Sequence, residues 1–186
     1  SPLVISLAAD SNSQRSVYSF NQATSNLKGV ATSCTYSNIS NLKTEIAGCN
    51  ISEHDAVYIN ASVVDAVQIK AALPAGIPVY LTDKSYIGVN NSSQEFALKG
   101  ATLGDMPWLL TDSELKASFM KTLPKANPQV QKIFAAAYDS IGFAFNLPKL
   151  AENPNDVFHG LTGDISLGNA GLIEATPMWV KLGELR

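Results

Sequence analysis

The first 83 residues alternate apolar runs with segments of helical periodicity, and this alternation restricts the fold more than any other feature of the chain. Three runs rich in Val, Ile and Leu are each followed by a segment whose apolar residues recur every three or four positions, and a fourth run closes the series. Parallel strands joined by right-handed helical crossovers produce this order. We therefore predict an α/β fold with a mainly parallel, doubly wound sheet. The predicted strands span 2–9, 29–36, 56–61 and 77–83, and the predicted helices span 13–29, 37–49 and 63–73.

Apolar stripes on two of these helices should face the sheet. We expect the stripe of the first helix to comprise Val17, Phe20, Ala23 and Leu27, and that of the third to comprise Val64, Val67 and 69–71.

Prolines and glycines divide the second half of the chain. Residues 84–94 are rich in Asn and Ser and lack periodicity, which is typical of a long functional loop. Residues 96–110 are apolar, which favours a strand or strand pair ended by Pro107. Helices are predicted at 113–123 and 127–147, with Pro148 ending the second, and an antiparallel hairpin added to the sheet is predicted between 161 and 182. One apolar face of the longer helix should contain Val130, Ile133, Phe134, Ala137, Ile141 and Phe145.

Length and composition limit the classes of protein to consider. A chain of 186 residues favours one compact domain spanning 1–186. Only 16% of residues are charged, against roughly 25% in an average protein, so the surface must be largely uncharged and polar, as suits an extracytoplasmic protein. A net charge of −3 without a Lys/Arg cluster argues against nucleic acid as a partner.

No apolar run is long enough to cross a bilayer, and without a signal or lipid-attachment cysteine we expect the chain to be part of a longer protein.

Several polar residues follow the apolar runs and could form a binding rim. Asp10, Asp83 and Asp105 each follow an apolar run, so we expect them at strand ends, where open α/β sheets bind ligands. The alternative is that these Asp and Ser residues cap the helices that follow, which is their commonest use. The candidate rim comprises Asp10, Ser11, Asn60, Ser62, Thr82, Asp83, Lys84 and Tyr86.

Catalytic and metal sites find little support in the sequence. The two histidines, His54 and His159, are interpreted as solvated loop residues, and no Ser or Cys lies in a G-x-S-x-G context. No His/Cys cluster offers a ligand set for a metal, and no G-x-G-x-x-G follows the first strand, so we predict no metal, no cofactor and no enzymatic activity. Trp108 and Trp179 could anchor an interface or pack in the core.

Two cysteines, Cys34 and Cys49, lie at the ends of the second strand-helix unit. Because the strand and the end of the following helix return toward the same edge, we expect the two to be close enough to bridge. They could form a disulfide, or they could be two buried reduced thiols.

Four motifs resemble one bacterial family. Residues 15–22 are similar to a Gly-Gln-Arg-Val helix that follows a first strand. Pro-Trp-Leu-Leu at 107–110, Ala-Tyr-Asp at 137–139 and Gly-Leu-Thr-Gly at 160–163 then occur in the family's order. With them, most of the chain resembles the second lobe of a type I periplasmic binding protein as found in the LppC/LpoA family, although residues for a first lobe are absent.

The resemblance implies a function by contact. LppC/LpoA proteins are outer-membrane lipoproteins that activate a class A penicillin-binding protein in peptidoglycan synthesis, so a periplasmic, non-enzymatic regulator is expected. A membrane would be reached only through a lipid anchor outside this chain. The oxidising compartment so implied favours the disulfide.

The loop at 84–94 is the expected contact surface, with Lys84 and Tyr86 outside the core. The alternative function is a solute-binding module for an amino acid or similar small ligand, and a hydrolase ranks last.

Overall fold

The chain divides into two compact units where the sequence predicted one domain. The computed structural model describes residues 1–86, 92–153, 155–168 and 171–184. The first unit, here called the sheet unit, contains Ser1–Gly104 and Val180–Arg186. The second, the helical unit, contains Asp105–Trp179.

The order of elements along the described chain follows the predicted alternation in the first half. The strands are β1 Pro2–Leu7, β2 Thr32–Tyr36, β3 Ala56–Asn60, β4 Val79–Leu81, β5 Thr102–Asp105, β6 Phe158–His159, β7 Asp164–Leu167, β8 Ile173–Thr176 and β9 Met178–Lys181. The helices are α1 Ser11–Asn26, α2 Leu42–Ala47, α3 Val63–Ala72, α4 Ser92–Ala97, α5 Pro107–Leu110, α6 Glu114–Thr122 and α7 Pro128–Glu152.

The main sheet has six strands in the order β2-β1-β3-β4-β5-β9. The pairs β1–β2, β1–β3, β3–β4 and β4–β5 are parallel, which confirms the predicted sheet. Ile5 of β1 lies between Cys34 of β2 and Ile59 of β3 in the register. All three side chains are buried, as expected for a central strand covered on both faces.

The helices of the sheet unit begin at capping residues, but two predicted stripes are partly wrong. Asp10 and Ser62 accept hydrogen bonds from the first amides of α1 and α3. Ala23 and Leu27 are exposed, and Leu27 is the C-cap of α1, where the chain leaves the helix. Val64 and Ala71 are also exposed. Ile69 is buried as predicted, and Ala66, which was outside the predicted stripe, is buried with it.

The stretch from 84 to 110 contains more helix than predicted. Asp83–Ser85 form a single 3-10 turn, and the predicted loop ends early because α4 begins at Ser92. Residues 87–91, the middle of that loop, lie outside the described residues. The predicted strand at 96–110 was too long, because Gly100 has a φ of +85° that interrupts extended backbone and Pro107 opens α5.

The helical unit has its own aromatic core. Trp108 is 2% exposed and packs with Phe119 and Phe134, at ring-centroid distances of 5.6 and 5.1 Å. Of the two roles considered for Trp108, the structure shows the core role. α7 runs through Pro148, which was predicted to end it, because buried Leu150 holds the last turn against the unit.

The C-terminal strands do not join the main sheet as a hairpin. β6, β7 and β8 form a separate three-stranded antiparallel sheet, so the antiparallel pairing is confirmed and its predicted place is corrected. Only β9 joins the main sheet, beside β5. Gly163 enters β7 with a φ of +142°, and a Cβ there would meet the backbone of Thr176 on β8 at 2.3 Å, so this sheet requires glycine at that position.

The two cysteines are joined. A disulfide connects Cys34 on edge strand β2 to Cys49, just beyond α2, with the Cα atoms 5.9 Å apart. The alternative of two reduced thiols is therefore not what the structure shows.

Candidate functional site at the ends of β1, β3 and β4

Asp10 is the centre of a polar network at the carboxyl end of β1. Its carboxylate accepts hydrogen bonds from the amides of Asn12 and Ser13 at 3.2 and 3.1 Å, and from the Ser13 hydroxyl at 2.5 Å. Lys84, which follows β4, places its Nζ 3.4 Å from the same carboxylate. The Ser13 hydroxyl holds the pKa of Asp10 below its ordinary value, with the backbone amides and Lys84 acting in the same direction.

Asn60, a buried residue at the end of β3, joins this network through a hydrogen bond. Its side chain is 0% exposed, and its Nδ2 donates to the Ser13 carbonyl at 3.1 Å. The Oδ1 of Asn60 and the Oγ1 of Thr82 are buried and have no hydrogen-bond partner among the described residues. These two atoms are acceptors that a polar group reaching the strand ends could use.

The segment after β4 is fixed by buried side chains that sequence reasoning missed. The Ser85 hydroxyl donates to the Ala61 carbonyl at 2.9 Å, and Gln94 donates to the Ser85 carbonyl at 2.8 Å. Nothing in the local sequence distinguishes these residues from loop polar residues. Ser13, by contrast, could have been found, because Asp10 is a preferred N-cap residue and an N-cap side chain accepts from the amide three positions later.

Tyr86 is in the core, and the prediction that it lies outside the core is wrong. Its side chain is 4% exposed, whereas Asp83 and Lys84 beside it are exposed. Only one short 3-10 turn, Asp83–Ser85, follows β4, so the chain returns to the interior by position 85. Tyr86 therefore supports this edge of the sheet from inside.

The remaining rim candidates are used differently. Ser62 caps α3 by accepting from the Asp65 amide at 3.3 Å, which is the capping role considered as the alternative. Asp65 in turn accepts from the Tyr36 hydroxyl at 2.7 Å, and burial followed by this bond raises the pKa of Tyr36. Ser11 is exposed and lines a shallow groove along α1 with Arg15 and Tyr18. The structure therefore brings Asp10, Asn60 and Lys84 together, but not Ser62.

The two histidines lie in separate exposed settings. His54 contacts the first residue, with its Nδ1 3.1 Å from the Ser1 carbonyl and 3.4 Å from the Ser1 hydroxyl. His159 pairs with Asp164 across β6 and β7 at 2.7 Å. Across the described ranges, no three His, Cys, Asp or Glu residues lie close enough together to hold a metal ion. No helix within the described part of the chain has the length and apolar character to cross a membrane.

Comparison with known families identifies the chain. Residues 16–184 match the family described as "LppC putative lipoprotein". This chain belongs to the LppC family.

One curated LppC relative is the penicillin-binding protein activator LpoA of Aliivibrio fischeri. It is 27% identical over 136 residues, which cover 70% of this chain and 23% of that protein. The chain therefore spans about a quarter of the length of that relative.

Solved structures show the same fold at low identity. The LpoA (YraM) C-domain from Haemophilus influenzae, named as a regulator of PBP1A, superposes with a TM-score of 0.79 at 17% identity and covers 98% of this chain and 59% of that chain. A protein of Chromobacterium violaceum named as a putative branched-chain amino acid ABC transporter gives a TM-score of 0.74 at 22% identity, covering 97% and 58%. The fold is thus shared by LpoA and by binding-protein-like structures.

Two of the motifs that resemble the LppC family meet at one residue of the helical unit. Asp139, from the Ala-Tyr-Asp motif on α7, is 2% exposed. Its carboxylate accepts from the amides of Leu161 and Thr162 at 2.8 and 2.7 Å and from the Thr162 hydroxyl at 2.7 Å. A Cβ at Gly160 would lie 2.4 Å from that carboxylate, so the Gly-Leu-Thr motif must begin with glycine. These motifs are explained by folding, not by ligand binding.

Proposed function

We propose that this chain is part of a non-enzymatic regulator that acts in the periplasm on a class A penicillin-binding protein. Membership of the LppC family carries the proposal, and the activator named among its relatives supports the choice of partner. The Cys34–Cys49 disulfide fits an oxidising compartment outside the cytoplasm. The full-length protein would be held at the outer membrane by a lipid anchor outside this chain.

We assign the contact to the rim at the ends of β1 and β4. Its exposed members are Ser11, Asp83 and Lys84, while Asn60, Thr82 and Tyr86 are buried. Lys84 is only weakly engaged, since its ion pair with Asp10 is 3.4 Å long and about a third exposed on each side. Exposed ion pairs of this kind contribute little to stability, so Lys84 can exchange Asp10 for an acidic group on a partner at small cost.

The experiment measures binding and activation with a purified class A penicillin-binding protein from the same bacterium. The 186-residue chain and the full-length protein are each titrated against the synthase, and glycan polymerisation and cross-linking are followed with and without them. Binding together with a faster rate supports the proposal. Absence of both with the full-length protein contradicts it.

Charge substitutions then test the rim itself. Lys84→Ala should weaken binding while leaving the melting temperature nearly unchanged. Lys70→Ala is the matched control, because Lys70 lies in the last turn of α3, at the opposite end of that helix from Ser62. If Lys84→Ala and Lys70→Ala bind the synthase with equal affinity, the contact does not lie at the rim. Tyr86→Ala is unsuitable for this purpose, since removing a buried ring would destabilise the fold.

A second function, solute binding, is favoured by one observation. Asn60 Oδ1 and Thr82 Oγ1 are buried acceptors with no partner in the described chain, and they lie where open α/β sheets collect ligands. A free amino acid at a hundred times its dissociation constant would raise the free energy of unfolding by about 2.7 kcal/mol. Thermal unfolding with each of the twenty amino acids tests this, and a ligand whose stabilisation is lost in Asn60→Ala or Thr82→Ala would establish the second function.

A further inference from the structure

The outer edge of β2 presents backbone hydrogen-bonding groups to solvent. β2 is an edge strand of the main sheet and, among the described residues, pairs with β1 alone. Ala8 donates its amide to the Tyr36 carbonyl at 2.9 Å, so the backbone of Tyr36 faces β1. Because these groups alternate in direction along a strand, the amides and carbonyls of Ser33 and Thr35 point away from the sheet. Both residues are exposed, and no residue of the described ranges is hydrogen-bonded to their outward groups.

The features that normally protect an edge strand are missing from β2. Natural sheets place Lys, Pro or a bulge on an exposed edge, which disfavours pairing with another chain. β2 has the sequence Thr-Ser-Cys-Thr-Tyr, without charge or proline, and its register with β1 is unbroken from Thr32 to Tyr36. The strand at the opposite edge, β9, ends with exposed Lys181. The contrast between the two edges indicates that β2 can accept a further strand.

β2 is also preorganised for pairing. The Cys34–Cys49 disulfide ties the strand to the segment after α2, and the side chains of Cys34 and Tyr36 are buried. An edge strand that is already fixed in an extended conformation loses little conformational freedom when a second strand adds to it. Leu27 and Val30, in the connection that leads into β2, are 84% and 74% exposed and add apolar area near this edge.

The charges at the two ends of β2 indicate which strand would add. Exposed Lys28 precedes the strand. Glu45 lies at the other end, where its carboxylate accepts from the amide and the hydroxyl of Ser37. A second β2 running antiparallel would bring Lys28 of each copy toward Glu45 of the other, whereas a parallel one would bring like charges together. Lys43, two positions before Glu45, projects from a different side of α2.

We propose that the β2 edge is a homodimer interface, at which two copies of this chain pair their β2 strands antiparallel. With the two-fold axis beside Cys34, Ser33 of one copy lies opposite Thr35 of the other. The two symmetry-related pairs then exchange about four backbone hydrogen bonds and join the two main sheets into one. The interface uses the side of β2 and not the strand ends that form the rim, so it does not rest on the proposed synthase contact.

Hydrogen exchange at single amides tests the proposal. The full-length protein is compared below and above its dimerisation midpoint, which sedimentation velocity supplies, and exchange is read by mass spectrometry with electron-transfer fragmentation. We expect the amides of Ser33 and Thr35 to exchange several-fold more slowly in the dimer. The amides of Cys34 and Tyr36 face β1 and should exchange slowly in both states, so they are controls within the same strand.

Removal of one outward amide gives the second readout. Ser33→Pro deletes a donor to the other copy and leaves the bonds to β1 in place, so the dimer dissociation constant should rise about tenfold or more. Ser33→Thr is the matched control, because it keeps the amide and suits a strand, and it should leave the constant nearly unchanged. The melting temperature of each monomeric variant shows whether it has folded.

A charge reversal tests the antiparallel orientation without touching the strand. Lys28→Glu should weaken the dimer, because it brings two carboxylates together at both ends of the paired strands. Lys125→Glu makes the same change at an exposed residue of the helical unit and should not alter the dissociation constant.

Four results would overturn the proposal. A protein that stays monomeric up to its solubility limit has no such interface. A dimer in which Ser33 and Thr35 exchange as fast as in the monomer pairs through another surface. Slow exchange of both amides in the monomer would show that the remainder of the full-length protein covers the edge. Protection that appears only when the synthase is added would assign the edge to a strand of that partner.

Discussion

At the scale of single residues, Asp139 is the residue whose substitution we expect to lower the free energy of unfolding most. Its carboxylate accepts two backbone amides and one hydroxyl of the Leu161–Thr162 segment from a nearly buried position. Asp139→Ala would leave these donors unpaired at about 1–3 kcal/mol for each fully buried group, so we expect a loss of roughly 3 kcal/mol in the free energy of unfolding. Urea unfolding followed by Trp fluorescence measures it. Asp112→Ala, which removes an exposed carboxylate from the same unit, should cost less than about 1 kcal/mol.

Asp10 should contribute to the acid sensitivity of the sheet unit. Hydrogen bonds lower its pKa in the folded protein, so its stabilising effect is present above the pKa of the unfolded chain and is lost as pH falls through the folded value. Asn caps helices about as well as Asp but does not titrate. We expect Asp10→Asn to match the parent near neutral pH and to lose less stability between about pH 5 and pH 2.

The urea unfolding midpoints of the parent and of Asp10→Asn, measured across that pH range, test this prediction. Glu45 and Asp55 also have lowered pKa values and remain in the variant, so a residual acid dependence is expected. A variant that follows the parent at every pH would show that Asp10 contributes nothing to it.

Residue roles were harder to predict than residue positions. The placement of Asp10 and Lys84 on one rim followed from the rule that parallel strands end at one edge of the sheet, but their ion pair was not predicted. Tyr86 was misplaced because its burial depends on a single 3-10 turn that no periodic pattern announces. Asp139 was read only as part of a motif, since its partners lie 22 and 23 positions away in the chain.

At the scale of elements, the Cys34–Cys49 disulfide secures the edge of the main sheet. It closes a loop of 15 residues around β2 and α2, and β2 pairs with β1 alone in the sheet order. Closing a loop of this size restricts the unfolded chain by about 3 kcal/mol. We expect Cys34→Ala with Cys49→Ala to lose roughly that much stability, with Cys34 the costlier single site because it is buried.

Thiol titration of the unfolded, unreduced protein checks the bond itself and should find no reactive thiol. If the parent treated with reductant unfolds at the same urea concentration as the oxidised protein, the disulfide does not stabilise the fold. Comparison of reduced parent with the double variant separates loss of the bond from loss of the buried side chain.

The elements of the first half were predictable and several of the second half were not, for a physical reason. The central strands β1 and β3 are largely buried on both faces, so apolar runs reveal them. The stretch from 96 to 110 is equally apolar, but Gly100 and Pro107 divide it into helix, strand and helix. Pro148 was expected to end α7 because proline lacks an amide, yet a proline costs only local hydrogen bonding when packing beyond it, here Leu150, holds the helix.

At the scale of the whole molecule, we expect no hydrolytic activity. His54 Nδ1 lies 3.4 Å from the Ser1 hydroxyl and His159 contacts Asp164, so within the described residues neither histidine is hydrogen-bonded to both a hydroxyl and a carboxylate. Esterase, peptidase and glycosidase assays should stay at background. Activity in the purified protein that disappears in His54→Ala or His159→Ala would make the protein an enzyme after all.

The burial of Asn60 has a practical consequence for producing this protein. Asn60, Ala61 and Ser62 form an N-x-S acceptor sequence for N-linked glycosylation, and the Asn60 side chain is wholly enclosed. A eukaryotic secretory pathway attaches its glycan to such sequences while the chain is still unfolded, and a glycan on Asn60 could not be accommodated beneath Ser13. Secretion from yeast or insect cells would therefore yield misfolded protein, whereas export to a bacterial periplasm leaves the amide free and still permits the disulfide to form.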